Sequence, residues 1–154
     1  MTDAPFSDLP FSQRMEKMGD EAEGVFEQVH DKWARYGFDR PPFTIQNLPL
    51  AVRYSPDYVQ ENPMRFVEVL GMGRNGLKLK LEKIRALSWW NMVMPVWLFA
   101  WSSHKQEHTE LPLDLLLTII DRNDVPLGKF REGKTYFNVR SSLLPWSSDD
   151  EQGG

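Results

Sequence analysis

The chain contains no cysteine. That absence excludes disulfide stapling, thiolate catalysis and cysteine-based zinc sites, and it fits a reducing cytoplasm. Long apolar runs are also missing: none approaches the roughly 20 residues that span a bilayer. The N-terminus has no basic stretch followed by a hydrophobic one, so neither secretion nor membrane insertion is indicated. Nor is there an excess of positive charge. Lys and Arg number 18 against 22 Asp and Glu, and the formal charge of -4 is not that of a purely electrostatic nucleic-acid binder. What is there is a chain of 154 residues with 41% hydrophobic content, long enough to bury a core as one domain.

Charge is unevenly placed along the chain. Asp149, Asp150 and Glu151 precede Gln152-Gly153-Gly154, a composition that cannot pack, so residues 147–154 are expected to form an acidic tail. Residues 1–11, with Pro5 and Pro10, are expected to be a loose arm, leaving 12–146 as the single domain. Within it Arg74, Lys78, Lys80, Lys83 and Arg85 crowd one segment with only Glu82 opposing them. Such a run serves either as a solvated helix face or as a phosphate-binding patch, Arg74, Lys78, Lys83 and Arg85 being the candidate DNA contacts.

Periodicity divides the domain. Met15, Met18, Ala22, Val25, Val29 and Trp33 recur at three- and four-residue spacing, predicting a helix from Ser12 to about Tyr36 that Ser12 caps and Gly37 stops. Gly19 and Gly24 interrupt it, which suggests close approach to another element. Asp39-Arg40-Pro41-Pro42 reads as a turn, and Phe43–Gln46, Leu50–Val59 and Phe66–Leu70 as three strands. A glycine-rich loop, 71–76, precedes a predicted helix from Leu77 to Met92; no Gly-Lys-Ser/Thr follows, so it is not a P-loop. Pro95–Trp101 is almost continuously apolar, as a strand covered on both faces should be. His104 and His108 stand four apart but in a polar run without a third ligand, and read as surface residues. Pro112 opens a helix to Asp121, and Lys129-Phe130 with Thr135–Val139 forms a closing strand or hairpin.

The chemistry concentrates around Tyr54-Ser55-Pro56-Asp57-Tyr58 and Arg65–Gly71. Two Val-, Tyr- and Phe-rich runs separated by Gln60-Glu61-Asn62-Pro63 read as adjacent antiparallel strands, each with one carboxylate in apolar surroundings. A buried Asp or Glu is expensive unless paired or holding a cation. Side by side, Asp57 and Glu68 repel, and one pKa rises unless a divalent ion sits between them. Oxygen donors of this kind suit Mg²⁺ or Mn²⁺. The same residues also read as a plain turn and a solvent-facing strand position.

Pro56, Asp57, Glu68 and the Gly71 that ends the strand resemble the PD-(D/E)xK nuclease superfamily, with Leu70 in place of the motif lysine. Gly19-Asp20-Glu21-Ala22-Glu23 looks like the first-helix segment of archaeal Holliday junction resolvases and related phage nucleases, with Glu27 a second choice for its glutamate. The resemblance implies an α/β restriction-endonuclease-like core: a central mixed sheet flanked by helices in the order helix, three strands, helix, strand, plus a C-terminal helix and hairpin. It implies a Mg²⁺- or Mn²⁺-dependent deoxyribonuclease, its ion held by Asp57, Glu68, the Val69 carbonyl and Glu23. In some members the lysine comes from the following helix, here Lys80 first, then Lys78 and Lys83. The implied partner is DNA, branched for a resolvase, which needs a homodimer to make two symmetric cuts. For a phage-encoded enzyme the compartment is the host cytoplasm. The alternatives are a nuclease-fold binding module without turnover, for which Leu70 argues, and an interaction protein with no nucleic-acid role.

Overall fold

The computed structural model describes residues 11–37 and 48–146, the side chains of 11–17 excepted. The Asp39–Pro42 turn, the Phe43–Gln46 strand, the acidic tail and all of the expected arm but Phe11 lie outside these residues.

Helix α1, Phe11–Val29, buries Ala22 and Phe26 with Val25 beside them. The stripe does not run on to Trp33, because the helix ends at Val29, which is 47% exposed, and Lys32 takes a left-handed φ of 55°. Trp33–Arg35 instead forms strand β1, whose backbone groups find partners in β2, Tyr58–Gln60. Trp33 packs edge-on against Tyr58, 5.4 Å between ring centres. Between these strands Leu50–Arg53 is one helical turn, α2, and not the start of a long strand. The amides of Arg53 and Tyr54 bond back to Pro49 and Leu50, and the Trp90 indole donates to the Ala51 carbonyl.

β2 runs antiparallel to β3, Arg65–Met72, which is longer than expected and pairs in parallel with β5, Val96–Ser102. β6, Glu107–Pro112, completes a mixed sheet of order β1-β2-β3-β5-β6. Alternation along β3 sends Val67 and Val69 toward α1, where they meet Ala22, Phe26, Tyr58 and Phe99. Phe66 and Leu70 go to the other face and join Val96, Leu98 and Ala100. β5 is covered on both sides, as its apolar sequence requires.

Two helices and a second, smaller sheet close that other face. Helix α3 covers Leu81–Asn91 only; Leu77–Lys80 is strand β4, so Lys78 and Lys80 are not helical. The alternation Leu77-Lys78-Leu79-Lys80 buries the leucines when a partner strand is present, and β8, Thr135–Val139, supplies one. β8 also pairs with β7, Leu127–Lys129, giving the order β4-β8-β7. The expected C-terminal hairpin therefore exists but does not extend the central sheet. Helix α4, Leu113–Arg122, follows Pro112 and buries Leu113 and Leu116 in the same core. Gly19 and Gly24 have open space around them; the close approach is made by Gly71, where an added Cβ would lie 2.6 Å from the Met18 carbonyl oxygen. The segment expected to be a polar surface run holds β6, whose Thr109 and Leu111 point inward, and His108 stacks on Phe99 at 4.9 Å. Among the described residues no helix is long and apolar enough to cross a membrane.

The architecture is thus α/β, a central mixed sheet between helices. Three strands, β1 to β3, precede the crossover helix α3 and the parallel strand β5, with α4 and a hairpin at the end.

Candidate active site

The site begins where β2 and β3 part. Pro56 has no amide hydrogen to contribute to a ladder, and the last backbone pair of the hairpin is Tyr58 with Val67. The Val69 N–H would face an empty edge, but Asp57 Oδ2 accepts its hydrogen bond at 2.9 Å. Asp57 is therefore fixed at a bend beside β3, not on a strand. In an extended chain a residue's N–H and C=O leave on the same side, so the Val69 carbonyl also points toward this edge.

Glu68 is 4% exposed and lies, by alternation, on the side of Phe66 and Leu70. Its pKa is pushed well above the ordinary carboxylate range, first by burial and then by the Asp57 carboxylate, with a hydrogen bond between the two carboxyls adding to the effect. The charge of Lys83 opposes that shift and the charge of Glu23 reinforces it. A proton held between two carboxyls is the state of a metal-free pair in a low dielectric. The donor set is two hard oxygen groups with a strand carbonyl at the same edge, and it fits a small divalent cation in place of that proton.

A cleft of about 230 Å³ opens along β3 at Val69, Leu70 and Gly71. Leu70 stands at the strand position two beyond Glu68, and its side chain belongs to the core. Lys78 and Lys80 reach the same cleft from β4, and Lys83 from the first turn of α3. Positive charge thus returns to the place where Leu70 has none, from across the cleft. Each ammonium also lies near a ring: Lys78 is 5.6 Å from Tyr136, Lys80 5.4 Å from Phe130 and Lys83 5.9 Å from Tyr54. Lys80 is further tied to Glu132 at 3.1 Å.

No family model matches the chain, and no curated protein matches it in sequence. The solved structure of Hjc, a Holliday junction resolvase of the archaeal hyperthermophile Archaeoglobus fulgidus, is similar over 88% of this chain and 98% of that one, with a TM-score of 0.42 and 13% identity.

The remaining candidates are placed as follows. Glu23 accepts a hydrogen bond from Arg35 at 2.9 Å, and Glu27 accepts one from the Tyr58 hydroxyl at 2.8 Å. Arg35 also approaches Glu27 at 3.6 Å, so both helix carboxylates are engaged on the α1 side. Burial, together with the bond to Glu27, pushes the Tyr58 phenol far up. Among the described residues no three His, Asp or Glu side chains are grouped to hold one ion, so Glu23 is not brought into a cluster with Asp57 and Glu68. Arg74 is exposed in the turn between β3 and β4, and Arg85 is exposed on α3 with its guanidinium 5.4 Å from the Trp89 ring. Sequence reading gave no role at the site to Tyr54, Phe130, Tyr136 or Glu132. The signal for the last three was the Leu-Lys-Leu-Lys alternation, which calls for a partner strand.

Proposed function

We propose that the chain is a divalent-metal-dependent deoxyribonuclease that hydrolyses phosphodiester bonds. The observation that carries this reading is Glu68, buried and under the charge of Asp57, next in the chain to Val69, which lines a cleft with Lys78, Lys80 and Lys83. Such a pair is unfavourable by itself and becomes favourable around a cation.

Asp57, Glu68 and the Val69 carbonyl would hold Mg²⁺ or Mn²⁺. The bound ion would supply Lewis acidity toward the phosphate and lower the pKa of the attacking water. Lys83, whose charge already acts on Glu68, is the residue best placed to steady the negative charge that develops on the phosphate. Lys80 is less available, because Glu132 holds it. Glu23 would act through water or by its charge alone while Arg35 retains it. Arg74, Lys78, Lys83 and Arg85 remain the proposed DNA contacts, and branched DNA cut by a homodimer is the form of the reaction that the resolvase resemblance favours.

Leu70 favours a second reading, a nuclease-fold module that binds DNA without cutting it. Incubating purified protein with branched and linear DNA in Mg²⁺, Mn²⁺ or chelator separates the readings. Cleavage that depends on metal and disappears in Asp57→Asn is expected. Salt-sensitive DNA retention without cleavage would select the binding module, and neither activity would select an interaction protein.

A further inference from the structure

The small sheet has an outward face that the carboxylate chemistry does not use. Directly paired residues of antiparallel strands share a face, so the pairs Lys78 with Asn138, Lys80 with Tyr136 and Gly128 with Tyr136 put both lysines and the tyrosine on one side. Leu77, Leu79, Phe137 and Val139 take the other side and enter the core. The hydroxyl end of the Tyr136 ring closes over Gly128: a Cβ there would be 2.6 Å from the ring carbon Cζ. Phe130 stands beside it, ring centres 4.3 Å apart. Lys80 and Phe130 are shared with the cleft that runs to Val69, so this face is continuous with the candidate site.

We infer that the outward face of the β4-β8-β7 sheet binds unpaired nucleotides of a DNA strand, with bases on Tyr136 and Phe130 and phosphates on Lys78 and Lys80. Aromatic rings set in a basic sheet face are open to a base only when that base is unstacked, whereas a duplex offers such a surface its phosphates alone. The overall negative charge fits the same partner, since affinity then comes from stacking and a few local lysines and not from a long-range field. Glu132 supports the assignment. Its carboxylate, half exposed at the turn before β8, stands 3.1 Å from Lys80, where an incoming phosphate oxygen would bind. The inference deepens the DNA reading above and rests on it, naming a substrate with a single-stranded segment beside the scissile bond.

The test is anisotropy of a labelled short oligothymidylate and of a blunt duplex of equal length, both in chelator so that no cleavage intervenes. The wild-type protein is expected to prefer the single strand. Tyr136→Ala and Phe130→Ala should each weaken single-strand binding by about 10-fold or more and leave the duplex unchanged, while Tyr136→Phe keeps it. Glu132→Gln should tighten binding by freeing Lys80. Phe130→Ala decides the matter should Tyr136→Ala not fold. Wild-type affinity in folded Tyr136→Ala and Phe130→Ala, or equal losses on both probes, would overturn the inference. Cleavage with no single-strand preference removes this surface and leaves the nuclease reading; the preference without metal-dependent cleavage does the reverse.

Discussion

A carboxylate buried against another carboxylate, as Glu68 is against Asp57, makes the metal-free fold sensitive to pH in a definite direction. The unfolded chain ionises Glu68 in the ordinary range, while the folded chain keeps its proton to higher pH. Between those two values the folded state binds more protons, so the contribution of Glu68 to stability falls as pH rises and is recovered on acidification. Glu68→Gln should abolish that dependence and raise the melting temperature of the metal-free protein at neutral pH, by roughly 2–4 °C per kcal/mol of relief. Cleavage should be lost in the same variant. Thermal melts across pH with chelator check the first outcome. A lower melting temperature in Glu68→Gln would mean that the carboxylate stabilises the fold and the site has been misread. Adding Ca²⁺ or Mg²⁺ at neutral pH should stabilise the wild-type protein, by about 2.7 kcal/mol at a hundredfold excess over Kd, and leave Asp57→Asn unmoved.

Elements set the reach of the lysines. With β4 as a strand, Lys78 and Lys80 point outward together, and Lys83 enters from α3 toward Glu68. Lys83→Ala should lower turnover by roughly 10²–10³-fold with metal affinity unchanged, since a charge acting on the transition state affects kcat more than ground-state binding. Lys80→Ala should cost less. Full turnover in all of Lys78→Ala, Lys80→Ala and Lys83→Ala would show that no lysine serves the reaction. Another contact between elements holds α1 on β3: Gly71 lies so close to the Met18 carbonyl that an added methyl has no room. Gly71→Ala is expected to cost about 1–3 kcal/mol in urea unfolding, and an unchanged midpoint would mean that α1 shifts without penalty.

At the scale of the molecule, the two sheets share one core. Leu77, Leu79 and Val139 from the small sheet pack with Phe66, Leu98 and Leu113, so the described domain should unfold in a single transition. Its last described residue closes that core. The Trp146 ring is buried, its indole N–H donates to the Ser141 carbonyl at 2.6 Å, and its backbone bridges to Thr109 of β6. Trp146→Ala should therefore cost about 3–5 kcal/mol, read as a shift in the urea midpoint without loss of the two-state form. A change within error would place Trp146 outside the cooperative unit.

The sequence by itself determined the features whose physics is local. Pro56-Asp57 and Glu68 announced two carboxylates in apolar surroundings, although Asp57 lies at a bend and only Glu68 on a strand. The alternation of Phe66, Glu68 and Leu70 against Val67 and Val69 assigned the faces, the apolar run at Pro95–Trp101 required cover on both sides, and Pro112 opened a helix. Tertiary structure decided the rest, because strands are completed by partners distant in the chain. Leu77–Lys80 satisfies a helix or a strand until β8 offers its backbone, and Trp33–Arg35 leaves the helical pattern only because β2 lies beside it. The fate of the charges follows from the same assembly: Arg35 on β1 engages Glu23, Glu132 engages Lys80, and the charge of Lys83 opposes that of Asp57 and Glu23 on Glu68. Spacing along a chain reports which side chains can share a face, but which charges meet depends on how the faces are packed together.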